Sequence, residues 1–221
     1  MTRALIIGES GGIGGAVAAA LRARGDEVTG LSRATHGLDL TDEATVRAHL
    51  AALDGPFELI FVATGALEIA GAVPEKSLDE IDPETLLGQY ALNAVGPALL
   101  LKHGWRLLPR EGRSVFAVLS ARVGSIGDNR LGGWYGYRAA KAGLNQILHS
   151  AAIEINRRRR EAIVAALHPG TVRTEFTRAY ADRHPTVSPG EAARNLLAVM
   201  DGLTRAQSGG FYDWAGHEVP W

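Results

Sequence analysis

Tyr137 and Lys141 stand four residues apart in Tyr137-Arg138-Ala139-Ala140-Lys141. On a helix that spacing places both side chains on one face. A phenol with its ordinary pKa of about 10 is a weak acid–base group at neutral pH. A neighbouring ammonium stabilises the phenolate and lowers that pKa. Such a pair can move a proton at a carbonyl or alcohol oxygen. An ammonium on a flexible stem also reaches a ribose hydroxyl, where a planar guanidinium fits less well. Lys is scarce in this chain, with only Lys76, Lys102 and Lys141 against 20 Arg, so a Lys at this place is informative. Tyr135 has Ala139 four residues on and forms no such pair.

The second feature is Gly8-Glu9-Ser10-Gly11-Gly12-Ile13-Gly14-Gly15, directly after Leu5-Ile6-Ile7. A strand, a tight glycine turn and a helix N-terminus together bind anions through backbone N–H groups and the helix dipole. A side chain at the closest approach would block a pyrophosphate. About 20 residues on, dinucleotide-binding folds place the residue that reads the ribose. Here that place is Arg33, preceded by Ser32. A cation beside a hydroxyl suits a 2′-phosphate, so NADP(H) is favoured, with NAD(H) the alternative.

The elements that must position these groups follow from the pattern of apolar runs. Strands are expected at Leu5–Ile7, Glu27–Leu31, Glu58–Ala63, Ser114–Leu119, Ala162–Leu167 and Gly210–Tyr212. Helices are expected at Ala16–Arg24, Thr41–Leu53, Pro83–Leu108, Trp134–Arg157 and Pro189–Met200. Alternating strand and helix implies a parallel sheet covered on both faces, an α/β doubly wound fold of Rossmann type. Ligands in such folds sit outside the carboxyl ends of the strands, where both features lie.

Composition narrows the remaining classes. The 221 residues suit one domain, 1–221, and no linker or internal repeat is visible. Net charge is −1, which argues against non-specific nucleic-acid binding. No Cys is present, so disulfides and cysteine-based metal sites are excluded, and the seven His show no ligand spacing; no metal is expected. The N-terminus has too short an apolar core for a signal peptide, and the 17 uncharged residues Thr85–Leu101 are slightly short for a bilayer span. A cytoplasmic protein is expected. Gly is the one outlier, with 27 residues.

The spacing Gly8-x-x-x-Gly12-x-Gly14, followed far downstream by Tyr137-x-x-x-Lys141, resembles the short-chain dehydrogenase/reductase family. The resemblance runs from Leu5 to Trp221, and the segments Ser120–Asn129 and Gly209–Trp221 are most similar to the subgroup of C-factor-like proteins and small carbonyl reductases. It implies a sheet of seven strands in the order 3-2-1-4-5-6-7. It implies cofactor contacts from Gly8, Ser10, Gly11, Gly12, Ile13 and Gly14, and from Ser32 and Arg33. Asp39 and Leu40 match the pair beside adenine, and Ala63, Thr64 and Gly65 the segment at the adenosine ribose. Pro169, Gly170, Thr171, Val172 and Thr174, in the run that starts at His168, match the segment at the nicotinamide. Asn93 matches a helix Asn that holds a proton-relaying water. Ile7 departs from the family's Thr before the first Gly.

The serine departs more. The family's Ser-Ser-x-x-Gly becomes Ser120-Ala121-Arg122-Val123-Gly124, which puts Ala121 where the carbonyl-holding Ser is found. Ser120 is one residue early and would need a bulge at the strand end; Ser125 is the alternative, and the role falls to neither if both prove dispensable. The implied function is NADP(H)-dependent reduction of a carbonyl, or oxidation of an alcohol. Tyr137 is the acid/base, with Lys141, Asn93 and Ser120 beside it. The contrasting expectation is an NADPH-binding signalling or scaffold protein with little turnover. A small-molecule substrate would meet loops Leu67–Pro74, Arg122–Trp134 and Glu175–Thr186, including Trp134, Phe176, Arg178, Tyr180 and Arg183. The two long helices would pair subunits into a homodimer or homotetramer.

Overall fold

The computed structural model describes residues 1–177 and 186–221. Six parallel strands form one sheet: β1 (Arg3–Ile7), β2 (Glu27–Leu31), β3 (Leu59–Val62), β4 (Ser114–Leu119), β5 (Ala162–His168) and β6 (Phe211–Asp213). Their order is β2-β1-β3-β4-β5-β6. The helices are α1 (Gly12–Ala23), α2 (Arg33–His36), α3 (Glu43–Ala51), α4 (Pro83–Tyr90), α5 (Gly96–Gly104), α6 (Tyr135–Asn156) and α7 (Pro189–Gly202).

Strand alternation sorts the core into two layers. Leu5, Ile7, Ile60, Val62, Phe116, Val118, Val164 and Ala166 point to the face covered by α3, α5 and α6, against Val46, Leu50, Leu100, Leu144 and Leu148. Ala4, Ile6, Phe61, Ala117, Ile163 and Ala165 point to the other face, against Val17, Ala18 and Leu21 of α1 and Leu196, Leu197 and Met200 of α7. Near-continuous apolar strands are what a sheet buried on both faces requires.

Among the described residues the sheet has six strands, where the family resemblance implied seven. Only residues 32–42 separate β2 from α3, and they hold the one-turn α2. A crossover to a further parallel strand needs about a dozen residues or more. β2 is therefore the edge strand. Two helices also differ from expectation. α1 begins at Gly12, not Ala16, because its glycines pack inside the first turn. The stretch expected as one helix over 83–108 is broken at residues 91–95 by a π-turn, marked by Gly96 N–H donating to Ala91 O. It ends in a 3₁₀ turn at Trp105–Leu107. Among the described residues no helix is long and apolar enough to cross a membrane.

Candidate active site

The glycine turn sits at the carboxyl end of β1, where close approach decides each residue. Gly8 has φ +95°, and a Cβ there would lie 2.5 Å from Ala63 O. A Cβ at Gly14 would lie 2.2 Å from Gly8 O, so α1 can enter against the strand only without that side chain. A Cβ at Gly12 would meet Thr174 Cγ2 at 2.7 Å, which closes the turn against the segment after β5.

Two adjoining clefts open there. One, of about 310 Å³, is lined by Gly12, Ile13, Ser120, Ala121, Tyr137, Lys141 and, after β5, His168, Pro169, Gly170, Val172, Thr174 and Glu175. The other, of about 320 Å³, is lined by Gly8, Ser10, Ser32, Arg33, Asp39 and Leu40. Both include Gly11, Ala63, Thr64 and Gly65. The residues named for the cofactor and for catalysis are thus brought together, except Ser125, described below, and three others. Gly14 packs α1 onto β1, Thr171 pairs its carbonyl with Val187 N–H, and Asn93 lies behind Gly65. Arg178, Tyr180 and Arg183 lie outside the described residues, as does the side chain of Phe176.

Tyr137 and Lys141 are both buried, one turn apart on α6. The Lys141 ammonium is 5.7 Å from the Tyr137 ring centroid and donates to Leu119 O at 3.0 Å. Burial pulls the Lys141 ammonium down to about 8. Burial pushes the Tyr137 phenol up from its ordinary value. The expectation was a phenol lowered by its neighbour; desolvation of the phenolate is instead the larger effect. At neutral pH the pair is therefore a neutral phenol beside an ammonium. Gly124 lets the turn after β4 lie flat on this helix, since a Cβ there would fall 2.8 Å from Lys141 Cβ.

Asn93 occupies the π-turn and is fully buried. Its Nδ2 donates to Ala66 O (2.9 Å) and Gln89 Oε1 (2.7 Å), and its Oδ1 accepts from Ala66 N–H (3.1 Å). Gln89 Nε2 in turn donates to Leu67 O at 2.7 Å. The side-chain amide is thus committed to holding the segment after β3. A Cβ at Gly65 would lie 2.7 Å from Asn93 Oδ1 and 3.6 Å from Lys141 Nζ, so only a glycine fits against these groups.

The serines separate clearly. No bulge ends β4: Ser120 N–H still donates to Leu167 O (2.8 Å), and Ala121 stays extended at φ −146°, ψ 143°. Alternation then sends Ser120 to the α6 side, where its hydroxyl donates to Asn145 Oδ1 at 2.6 Å. Ala121 lines the cleft next to it. Ser125 is buried away from the cleft and its hydroxyl accepts from Asp128 N–H at 3.0 Å. Asn145 was not singled out in sequence, although it stands four residues after Lys141 on the same stripe of α6. His168 also lines the cleft, and burial lowers its imidazole to about 4.

These geometries place a Tyr–Lys pair and a glycine cradle at one end of a doubly wound sheet. A short-chain dehydrogenase/reductase family described as Enoyl-(Acyl carrier protein) reductase matches residues 29–196. The chain belongs to the short-chain dehydrogenase/reductase family. As a member it is an oxidoreductase acting on carbonyl and alcohol groups. It is similar to 1-hydroxy-2-glutathionyl-2-methyl-3-butene dehydrogenase of Rhodococcus sp. (strain AD45), 29% identical with 100% of both chains covered. C-signal of Myxococcus xanthus is 35% identical over 66% of this chain and 84% of that one. Among solved structures, the NADPH-bound carbonyl reductase from chicken fatty liver superimposes with a TM-score of 0.85, 21% identity and coverage of 100% and 99%. That likeness shows the short-chain dehydrogenase/reductase fold.

Proposed function

We propose that this protein is an NADP(H)-dependent reductase of a small carbonyl compound, running in reverse on the alcohol. The observation that carries the reading is Tyr137 and Lys141 buried side by side in the cleft at the carboxyl ends of β3, β4 and β5.

The cleft fits a dinucleotide. Gly8 and Gly12 leave no room for a Cβ, and Thr64 Oγ1 is buried there without a hydrogen-bond partner. Gly8, Ser10, Gly11, Gly12 and Ile13 would take the pyrophosphate end, with Gly14 seating α1 behind them, and Ser32 with Arg33 a 2′-phosphate. Asp39 and Leu40 would border adenine. Ala63, Thr64 and Gly65 would border its ribose, and Pro169, Gly170, Val172 and Thr174 the nicotinamide, with Thr171 tying that segment to Val187. Bound NADPH supplies hydride to the carbonyl carbon. Tyr137, protonated at neutral pH, gives its proton to the carbonyl oxygen. Lys141 holds the nicotinamide ribose and stabilises the phenolate that results. The π-turn that holds Asn93 would seat the water that returns the proton. Ser120 is the hydroxyl that orients the carbonyl, exchanging its bond to Asn145 for the substrate oxygen.

Residues 1–221 act as one cofactor-binding domain in the cytoplasm. Two or four copies associate through α4–α5 and α6, where Leu87, Tyr90, Val95 and Ile153 are exposed. Isothermal titration tests the cofactor: NADPH should bind more tightly than NADH, and the reverse order contradicts the roles given to Ser32 and Arg33.

A second reading has its own support: Ala121 replaces a hydroxyl in the cleft, and C-signal is among the relatives. It makes the protein an NADPH-binding signalling or scaffold protein. A screen of NADPH consumption over aldehydes, ketones and quinones separates the two. Turnover supports the reductase, and NADPH binding with no turnover supports the scaffold.

A further inference from the structure

Tyr137 stands in the first turn of α6, at the third helical position. First-turn N–H groups have no partner inside a helix, so order there must come from outside. The residue at the N-cap position gives little help. Trp134 is in the left-handed region (φ 54°, ψ 42°), its side chain makes no capping bond, and no acidic residue lies in the first turn.

The missing acceptor comes from Glu75, on the segment between β3 and α4. Both carboxylate oxygens of Glu75 lie 3.3 Å from Gly136 N, and its main-chain carbonyl accepts from Trp134 N–H at 2.5 Å. The side chain is buried, and no cation lies within ion-pair distance of it among the described residues. A buried carboxylate is costly unless something compensates it, and here the positive end of the α6 dipole does so. The fit is close. A Cβ on Gly136 would lie 2.9 Å from Glu75 Oε1 and 3.2 Å from Gln89 Cγ. Arg138, the residue after Tyr137, holds the approach to the helix by donating to Gly133 O (2.9 Å), Gly132 O (3.1 Å) and Val123 O (3.2 Å).

We propose that Glu75 is a positioning residue for the reaction, capping α6 from outside the helix and so fixing the place at which Tyr137 meets its substrate. This rests on the reading of Tyr137 as the proton donor. Reach is what matters: the side chain must span from its own segment to the Gly136 N–H. Glu75→Asp keeps the carboxylate but shortens it by a methylene, whereas Glu75→Gln keeps the reach and one acceptor oxygen.

The test compares Glu75→Asp, Glu75→Gln and Tyr137→Phe in the full chain. Each is measured for kcat on the fastest-reduced carbonyl of a panel of aldehydes, ketones and quinones, for NADPH affinity, and for hydrogen exchange of the amides at 135–138. Glu75→Asp should lower kcat about tenfold, the equivalent of one lost cap. It should speed exchange at 135–138 and leave NADPH affinity within about twofold. Glu75→Gln should restore kcat to within about threefold. Wild-type kcat and exchange in Glu75→Asp would overturn the proposal, as would equal losses in kcat and NADPH affinity. Full turnover in Tyr137→Phe would instead overturn the underlying reading of Tyr137. The exchange measurement decides the capping even where no panel carbonyl is turned over.

Discussion

Lys141 is a buried ammonium, and its acid–base behaviour follows from that. Burial brings it to about 8, below its ordinary value, so it is charged at neutral pH and loses its proton as pH rises through about 8. Stabilisation of the Tyr137 phenolate requires the charged form. Carbonyl reduction at saturating NADPH should therefore be level below this value and fall about tenfold per pH unit above it, in a pH–rate profile. A flat profile to pH 10 would contradict the role given to Lys141. At the neighbouring position, Ala121 lines the cleft with a methyl, and Ser120 must exchange its bond to Asn145 before its hydroxyl meets the substrate. Ala121→Ser adds a second hydroxyl there and should raise kcat by about tenfold, the worth of one added hydrogen bond. A rate equal to or below that of the parent would argue that the position does not face the carbonyl. The Tyr–Lys pairing is legible in sequence because the helix repeat alone sets the shared face. The serine is not, because its direction depends on where strand parity carries past Leu119 and on whether a bulge interrupts it.

At the scale of elements, the strands and most helices can be read from alternation and from glycine stops. What escapes is set by contacts between elements. α1 reaches back to Gly12 because its first turn is packed against Gly8, which a helix-propensity reading of glycine would oppose. The π-turn at 91–95 depends on Asn93 bonding Ala66 and Gln89 across space, which no local pattern announces. Glu75 and its cap are hidden for the same reason, since residue 75 and residue 136 are far apart in sequence. Gly14→Ala tests the entry of α1. The added methyl would lie 2.2 Å from Gly8 O, so helix and strand must separate. The cost should be about 1–3 kcal/mol in urea unfolding, with NADPH affinity falling as well. An unchanged unfolding midpoint would show that the packing is looser than the backbone distances imply.

Across the whole molecule, the glycine excess falls largely where the sheet presents its carboxyl ends. Two clefts share Gly11, Ala63, Thr64 and Gly65, and each of the two core layers holds one wall of the sheet in place. In the proposed oligomer, the surface for a second copy would fall on α4–α5 and α6. Leu87, 71% exposed on α4, would lie in that contact. Leu87→Glu should shift the protein to monomer in sedimentation velocity, and an unchanged sedimentation coefficient would place the interface elsewhere. The central claim, however, is chemical. Tyr137→Phe removes one oxygen from the cleft and leaves the glycine cradle intact. Measured side by side for NADPH binding and for carbonyl reduction, this variant should bind NADPH within about twofold of the parent and lose at least about 100-fold in kcat. Turnover equal to the parent would contradict the account.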